Sequence, residues 1–387
     1  MGRKPHTKTR TGCVECKRRH LKCDETRPIC HKCNFSNRQC EYRLPAPTTR
    51  ANSIGSHHSP GRPGDAEPGA SSLVNADHVE LFHLFVTETC SVIAPNETQL
   101  GIYRSFAIPR LFKAQFLLDE VIALSACHMS TKRPERATFY CNMASNLQAS
   151  ALAGYREMLT RINSSNCMEV LIFSFHLGLH AFWQIFNPVE NDFGLFLDRL
   201  AGCIRLLRGV NMVILGWWDT LIETEAREMV FEQEKPTKLD LPSRGECAGL
   251  RDMLNQADLS PSSIAVCQQS LDNLQKYFNY EHTLRVPPHS TYMIFTWLIQ
   301  STEGFVDLLD QRRPEALILL AYYGVLLHGR MQCWVIRDAG FRLIDHIHRY
   351  LGKRWDQWLA WPYHATTAGT GIMDVRSLTG PCTSGSI

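Results

Sequence analysis

Six cysteines between residues 13 and 40 follow one spacing twice: Cys13-x2-Cys16-x6-Cys23, then, after six more residues, Cys30-x2-Cys33-x6-Cys40. No other feature of the chain limits its fold as strongly. Zinc takes four thiolates in a tetrahedron, and a Cys-x2-Cys pair supplies two of them from one turn of chain. Two such ions need eight thiolate positions, which six cysteines provide only if two of them bridge both metals. A single zinc held by four cysteines would leave two spare thiols and ignore the internal repeat. A three-disulfide scaffold requires an oxidising compartment, and Met1-Gly-Arg-Lys-Pro-His6 is polar, with no apolar segment of a secretory signal after it. Iron–sulfur ligands usually number four and follow other spacings. A peptide this short cannot bury a sufficient core, so the metal has to supply its folding free energy.

Charge is as uneven as cysteine usage. Residues 1–50 hold 13 Lys/Arg against 4 Asp/Glu, or +9, and the remainder is at −6 within an overall charge of +3. This is the distribution of a nucleic-acid-binding head on a regulatory body, although a basic tail that is merely soluble gives the same count. The stretch Cys16-Lys-Arg-Arg-His-Leu-Lys-Cys23 places five cationic or potentially cationic side chains on one expected short helix. Leu21 is its apolar exception and is expected to pack against the second half of the repeat.

At these residues the chain resembles the fungal zinc binuclear-cluster family of transcription factors. All five spacings between the six cysteines match, and Lys17-Arg18-Arg19 with Lys22-Cys23-Asp24 match that family's basic first helix. The resemblance implies two Zn2+ held by Cys13, Cys16, Cys23, Cys30, Cys33 and Cys40, with Cys13 and Cys30 bridging, and it places the family's loop proline at Pro28. It also implies a helix in the major groove of double-stranded DNA. Arg19 and His20 fall at the base-contacting positions, while Lys17, Arg18 and Lys22 fall where phosphates are reached. Arginine bonds guanine O6 and N7 bidentately, which suits the CGG-like half-sites common in the family. His20 departs from the usual Lys or Arg and offers one donor to guanine N7 without permanent charge. The arm Arg3, Lys4, Lys8 and Arg10 either adds phosphate contacts or nuclear-import recognition, or stays solvated.

Composition separates four zones: a basic Cys-rich head over 1–43, a Pro/Gly/Ser-rich linker over 44–75, a helical body over 76–362, and a loose tail over 363–387. Helices are read from apolar spacing. Tyr140, Ala144, Leu147, Ala151, Tyr155, Met158 and Ile162 recur every three or four residues after Pro134. Phe193, Leu197, Leu200, Ile204 and Leu207 do so before Gly209, and Cys267, Leu271, Leu274 and Phe278 form a shorter run. Pro314 opens an apolar segment through Leu327, and an amphipathic stretch from Trp334 to Leu351 ends at Gly352. No run alternates strictly, so strands are not expected. The fold class that follows is a small metal-organised Zn2Cys6 N-terminal module, two short helices with loops, followed by a large all-α regulatory domain of roughly eight to twelve helices. No membrane span is expected: Val170–Val189 carries His176, His180, Gln184, Asn187 and Pro188, and Ala316–Leu327 is too short.

The body carries a second resemblance. Glu80-Leu-Phe-His-Leu-Phe85, Leu117–His128, Arg312–Ala321 and Trp355–Pro362 are similar to the sterol uptake control protein subgroup. That similarity implies an all-helical domain able to bind a sterol; many relatives instead control biosynthetic gene clusters. The tryptophans Trp183, Trp217, Trp218, Trp297, Trp334, Trp355, Trp358 and Trp361 either house an apolar pocket or fill the core. His128, His176 and His180, the last two four apart on a helix, fit either a metal site or satisfied core histidines, and without a nearby carboxylate the core reading is favoured; the scattered cysteines are read as small buried hydrophobes.

The leading function is a sequence-specific, nuclear regulator of RNA polymerase II genes that meets the transcription machinery through its body. Sterol or lipid metabolism, or a biosynthetic gene cluster, is the expected target. A ligand-sensing regulator with little DNA reading of its own is the alternative. No Gly-x-Ser-x-Gly elbow, His-Glu-x-x-His or Gly-rich phosphate loop supports an enzyme. No heptad run follows the cluster, which leaves either a monomer or a homodimer formed through the body.

Overall fold

A computed structural model describes residues 12–19, 21–26, 30–36, 40, 75–93, 96–187, 192–224, 227, 240–284 and 292–367. It divides into two compact units, Met1–Ser71 and Ser72–Ile387. The described residues contain helices, turns and loops and no strand.

The first unit holds two helices of five residues, α1 (Val14–Arg18) and α2 (His31–Phe35). Its buried cluster, among the described residues, consists of Cys13, Cys16, Cys23, Cys30 and Cys33, with Cys40 packed against them.

The second unit is all-helical. Its first half comprises α3 (Ala76–Thr87), α4 (Glu97–Leu111), α5 (Gln115–Lys132), α6 (Ala137–Leu159), α7 (Cys167–Phe186), α8 (Phe193–Leu215) and α9 (Trp218–Leu221), with a 3-10 turn at Thr89–Ile93. The second half comprises α10 (Ala248–Asn255), α11 (Pro261–Leu284), α12 (Tyr292–Ile299), α13 (Glu303–Asp310), α14 (Pro314–His328), α15 (Ala339–Leu351) and α16 (Asp356–Thr367). Fourteen helices among the described residues of this unit exceed the number expected for the body, because short segments such as α9 and α13 carry too few residues to show periodicity.

Two helices are buried on every side and organise the rest. Around α5 pack α3, α6 and α7, and around α14 pack α11, α15 and α16; α8 joins the halves by touching α7 on one side and α12 and α13 on the other. Asn75, Asn96, Asp192 and Thr302 cap α3, α4, α8 and α13, each accepting from a backbone N–H three residues on. At Gly352 the backbone turns to φ +70° and closes α15.

Three expectations need correction. α8 runs through Gly209 to Leu215, because Val210, Val213 and Ile214 continue to pack on the core. Trp334 sits in turns before α15 rather than in the amphipathic helix, which starts at Ala339. Residues 363–367 belong to α16, not to a tail; Pro362 lies inside that helix, and burial of Ala365 and Thr366 holds the chain helical past it. Among the described residues only α7 is long and apolar enough to cross a membrane by length and composition, and 89% of that stretch is buried within the protein.

Candidate metal centre and nucleic-acid edge

Cys13 opens α1 as its N-cap, where its sulfur accepts the N–H of Cys16 at 3.4 Å. The second half repeats the device, with the Cys33 N–H donating to Cys30 Sγ at 3.4 Å. Each Cys-x2-Cys pair is thus folded by a hydrogen bond from its own backbone. The loops add two more, from Glu25 N to Cys23 Sγ at 3.4 Å and from Cys30 N to Cys40 Sγ at 3.3 Å. Glu25 takes φ +62°, a left-handed turn that aims its N–H back at the sulfur.

The sulfurs form two tetrads. Cys13, Cys16, Cys23 and Cys30 lie mutually within 4.8 Å, as do Cys13, Cys30, Cys33 and Cys40, so Cys13 and Cys30 belong to both. Sγ–Sγ distances of 3.8 Å for Cys13–Cys30, 3.7 Å for Cys13–Cys33 and 3.7 Å for Cys16–Cys30 are far beyond a disulfide bond. A zinc tetrahedron with Zn–S of about 2.3 Å has edges of about 3.8 Å, which these distances match. Burial pushes the Cys33 thiol up to about 12, so a full set of thiolates here needs cations among them. The donor set fits two zinc ions that share two sulfurs.

The basic side chains are arranged differently from a single helix. α1 stops at Arg18, Arg19 occupies its C-cap, and Lys22 lies in irregular chain beyond it. The reason is the metal geometry. Seven residues of continuous helix would carry Cys23 about 10 Å along the axis from Cys16, whereas the two sulfurs lie within 4.8 Å. Lys17, Arg18 and Lys22 are exposed, and Arg19 is half-buried with its guanidinium donating to Ser36 Oγ at 3.5 Å. Arg18 spends two donors on Glu15, at 2.9 and 3.0 Å, so part of its charge is neutralised before any phosphate arrives. Leu21 borders His31, Lys32 and Ser36 of the second half yet stays 39% exposed. His20, Pro28, Arg3, Lys4, Lys8 and Arg10 lie outside the described residues.

Sequence reasoning passed over Asp24, which ties the halves together. Its carboxylate accepts from the Thr26 hydroxyl at 2.5 Å and from the His31 N–H at 3.1 Å, and these bonds hold it down at about 2. An acid directly after a ligand cysteine, opposite the opening of α2, is the signal that could have found it.

The amino-acid comparisons agree with the geometry. Residues 11–49 match the fungal Zn(2)-Cys(6) binuclear cluster domain, and residues 80–227 match the fungal specific transcription factor domain. The chain is a fungal zinc-cluster transcription factor. It is 24% identical over 349 residues to the Zn(2)-C6 fungal-type transcription factor afumD of Aspergillus fumigatus, covering 84% of this chain and 86% of that protein. With a Zn(2)-C6 fungal-type transcription factor of Gibberella zeae it shares 23% identity over 431 aligned residues, covering 93% and 86%. Similarity to Sterol uptake control protein 2 of Saccharomyces cerevisiae is 50% over 40 residues, only 10% of this chain and 4% of that protein. These families and relatives are transcription factors rather than enzymes, and the cofactors of this zinc-cluster factor are two zinc ions.

The three histidines of the body are buried and hydrogen-bonded as expected, but the absence of a nearby carboxyl does not hold for one of them. His180 has a carboxyl beside it after all: Glu120 Oε1 lies 3.0 Å from Nδ1, and Cys127 Sγ lies 3.3 Å from Nε2. All three are fully buried. His176 meets the Tyr103 hydroxyl at 2.7 Å, and His128 meets Thr89 Oγ1 at 3.0 Å while stacking on Trp334. Of the tryptophans, Trp297 is deeply buried and donates to Ser270 O at 3.1 Å, whereas Trp218 borders a cavity. The body's described cysteines are free thiols, all buried except half-buried Cys141.

Proposed function

We propose that this zinc-cluster factor reads DNA sequence in the nucleus through the edge formed by Lys17, Arg18, Arg19, His20 and Lys22. In this reading Cys13, Cys16, Cys23, Cys30, Cys33 and Cys40 hold two zinc ions, with Cys13 and Cys30 bridging. The observation that carries it is the pair of sulfur tetrads sharing Cys13 and Cys30. Bound zinc supplies the positive charge that lets buried thiolates converge and so fixes the two loops. The chain then does the rest. Arg19, steadied at the turn by Ser36, presents its fork to a guanine, while exposed Lys17 and Lys22 meet phosphates on either side.

The targets we propose are RNA polymerase II genes of sterol or lipid metabolism or of a biosynthetic gene cluster, with the helical body meeting the transcription machinery. Support for the sterol branch is the short similarity to Sterol uptake control protein 2. Genome-wide mapping of bound sites decides between the branches. At the head, Arg19→Ala is expected to weaken cognate binding by about 1–3 kcal/mol and leave random DNA nearly unaffected. Lys17→Ala is expected to lower both together and reduce the salt slope by about one. Gel shifts over a salt series measure both; equal loss on cognate and random DNA for Arg19→Ala defeats the base-reading role.

A further inference from the structure

We propose that the helical body binds a small flat apolar molecule, a single aromatic ring carrying one hydrogen-bonding group, in the cavity between the 3-10 turn Thr89–Ile93, α7, α8 and α12. The cavity holds about 100 Å³, and Leu171, Gly178, Phe182, Leu207, Asn211 and Phe295 are among the residues that line it. A dry apolar cavity of about 150 Å³ accommodates benzene. Drug-sized ligands fill about 300–1,000 Å³. At about 100 Å³ this space is smaller than either, but it is open on one side, so a single ring enters with its substituent in the opening, and the four fused rings of a sterol exceed it.

Three features give the occupant its chemistry. Phe182 and Phe295 stack with centroids 3.8 Å apart and planes 10° from parallel, and Phe175 and Trp218 border the same space, so aromatic rings interrupt a wall that is otherwise mostly aliphatic, with Ser174 and Thr296 as further polar members. Gly178 stands in the middle of α7, where glycine weakens a helix. A Cβ there would meet only Leu207 Cδ2, at an ordinary 3.5 Å. The packing therefore tolerates a larger residue, and the glycine leaves room. Asn211 is half-buried, and among the described residues its amide makes no hydrogen bond. It can donate to and accept from one polar group on the ligand. Asn211 and Ile299 also line a neighbouring, more open cleft with Arg208, Gln300 and Thr302.

The test uses the full zinc-loaded chain and three probes: benzyl alcohol, toluene and ergosterol. Saturation-transfer NMR and titration calorimetry are expected to show benzyl alcohol bound about tenfold more tightly than toluene, the gain of one hydrogen bond, and ergosterol not bound in this cavity. Asn211→Leu is expected to abolish the tenfold preference while toluene binding persists. Gly178→Leu is expected to fill the space and remove binding of both. Gly178→Ala, which the packing accepts, is expected to weaken both several-fold while the thermal midpoint of the ligand-free protein rises. Binding of benzyl alcohol that is absent, or unchanged in Gly178→Ala, overturns the proposal. Ergosterol binding that Gly178→Leu abolishes overturns the size of the ligand, and neither result bears on DNA reading by the head.

Discussion

Between α5 and α7 a carboxyl, an imidazole and a thiol meet out of reach of bulk solvent: Glu120, His180 and Cys127 are each fully buried. Burial opposes charge on His180, but the thiol and the carboxyl override it and raise the imidazole to about 10. Removing one partner of such a set leaves a buried charge uncompensated. Glu120→Ala is therefore expected to destabilise the body by about 3–5 kcal/mol. Urea unfolding measures it, and a loss below about 1 kcal/mol would show that the pair contributes little. The other two histidines have the opposite sign. Burial holds His128 down at about 4 and His176 at about 3, against about 6.5 in an unfolded chain. Both are neutral in the folded state, so their contribution is complete above pH 6.5 and is lost as pH falls towards 4. The expected loss is up to about 3 kcal/mol for each. His180 behaves oppositely, its contribution fading only as pH rises from about 6.5 towards 10. Chemical unfolding at a series of pH values from 7 to 4 checks this, with His128→Gln giving a flatter profile. Sequence reading placed these histidines in the core but passed over Glu120, which lies 60 residues from its partner.

Among the elements, glycines separate what a helix wants from what its neighbours demand. α14 and α15 cross so closely that a Cβ on Gly340 would lie 2.4 Å from His328 N and 2.5 Å from Gly324 O, backbone atoms that cannot rotate away. Gly202 in α8 is the opposite case, exposed and with nothing within 4 Å of its would-be Cβ. Gly202→Ala is expected to stabilise the protein by up to about 1 kcal/mol, and Gly340→Ala to destabilise it by about 1–3 kcal/mol through overpacking. Thermal unfolding of the two variants should shift in opposite directions; shifts of the same sign would contradict the crossing geometry. Long helices such as α6 and α14 were legible because one face, or the whole surface, is apolar and a proline opens the segment. Helix ends were less legible. Gly209 does not stop α8 and Pro362 does not stop α16, since packing against the core outweighs the local preference of either residue.

Over the molecule as a whole, the two units owe their stability to different forces. The described core of the head is built of cysteines, while that of the body is an extensive aliphatic and aromatic cluster sharing no residue with it. Chelation is therefore expected to abolish DNA binding and unfold the head while leaving the body's thermal transition in place. Calorimetry alongside gel shifts reads both, and loss of the body's transition on chelation would contradict the independence of the two cores. The sequence alone determined that two metals must share six cysteines, because thiolate count and a repeated spacing are properties of the chain itself. It also determined that the body is helical, because a periodic apolar face is written along each segment. Only the tertiary structure decided that α1 ends at Arg18, that Glu120 and Cys127 close on His180, and that a cavity opens beside Gly178. Each of these depends on atoms brought together from distant parts of the chain, where closing a metal tetrahedron or filling a core overrides what neighbouring residues prefer.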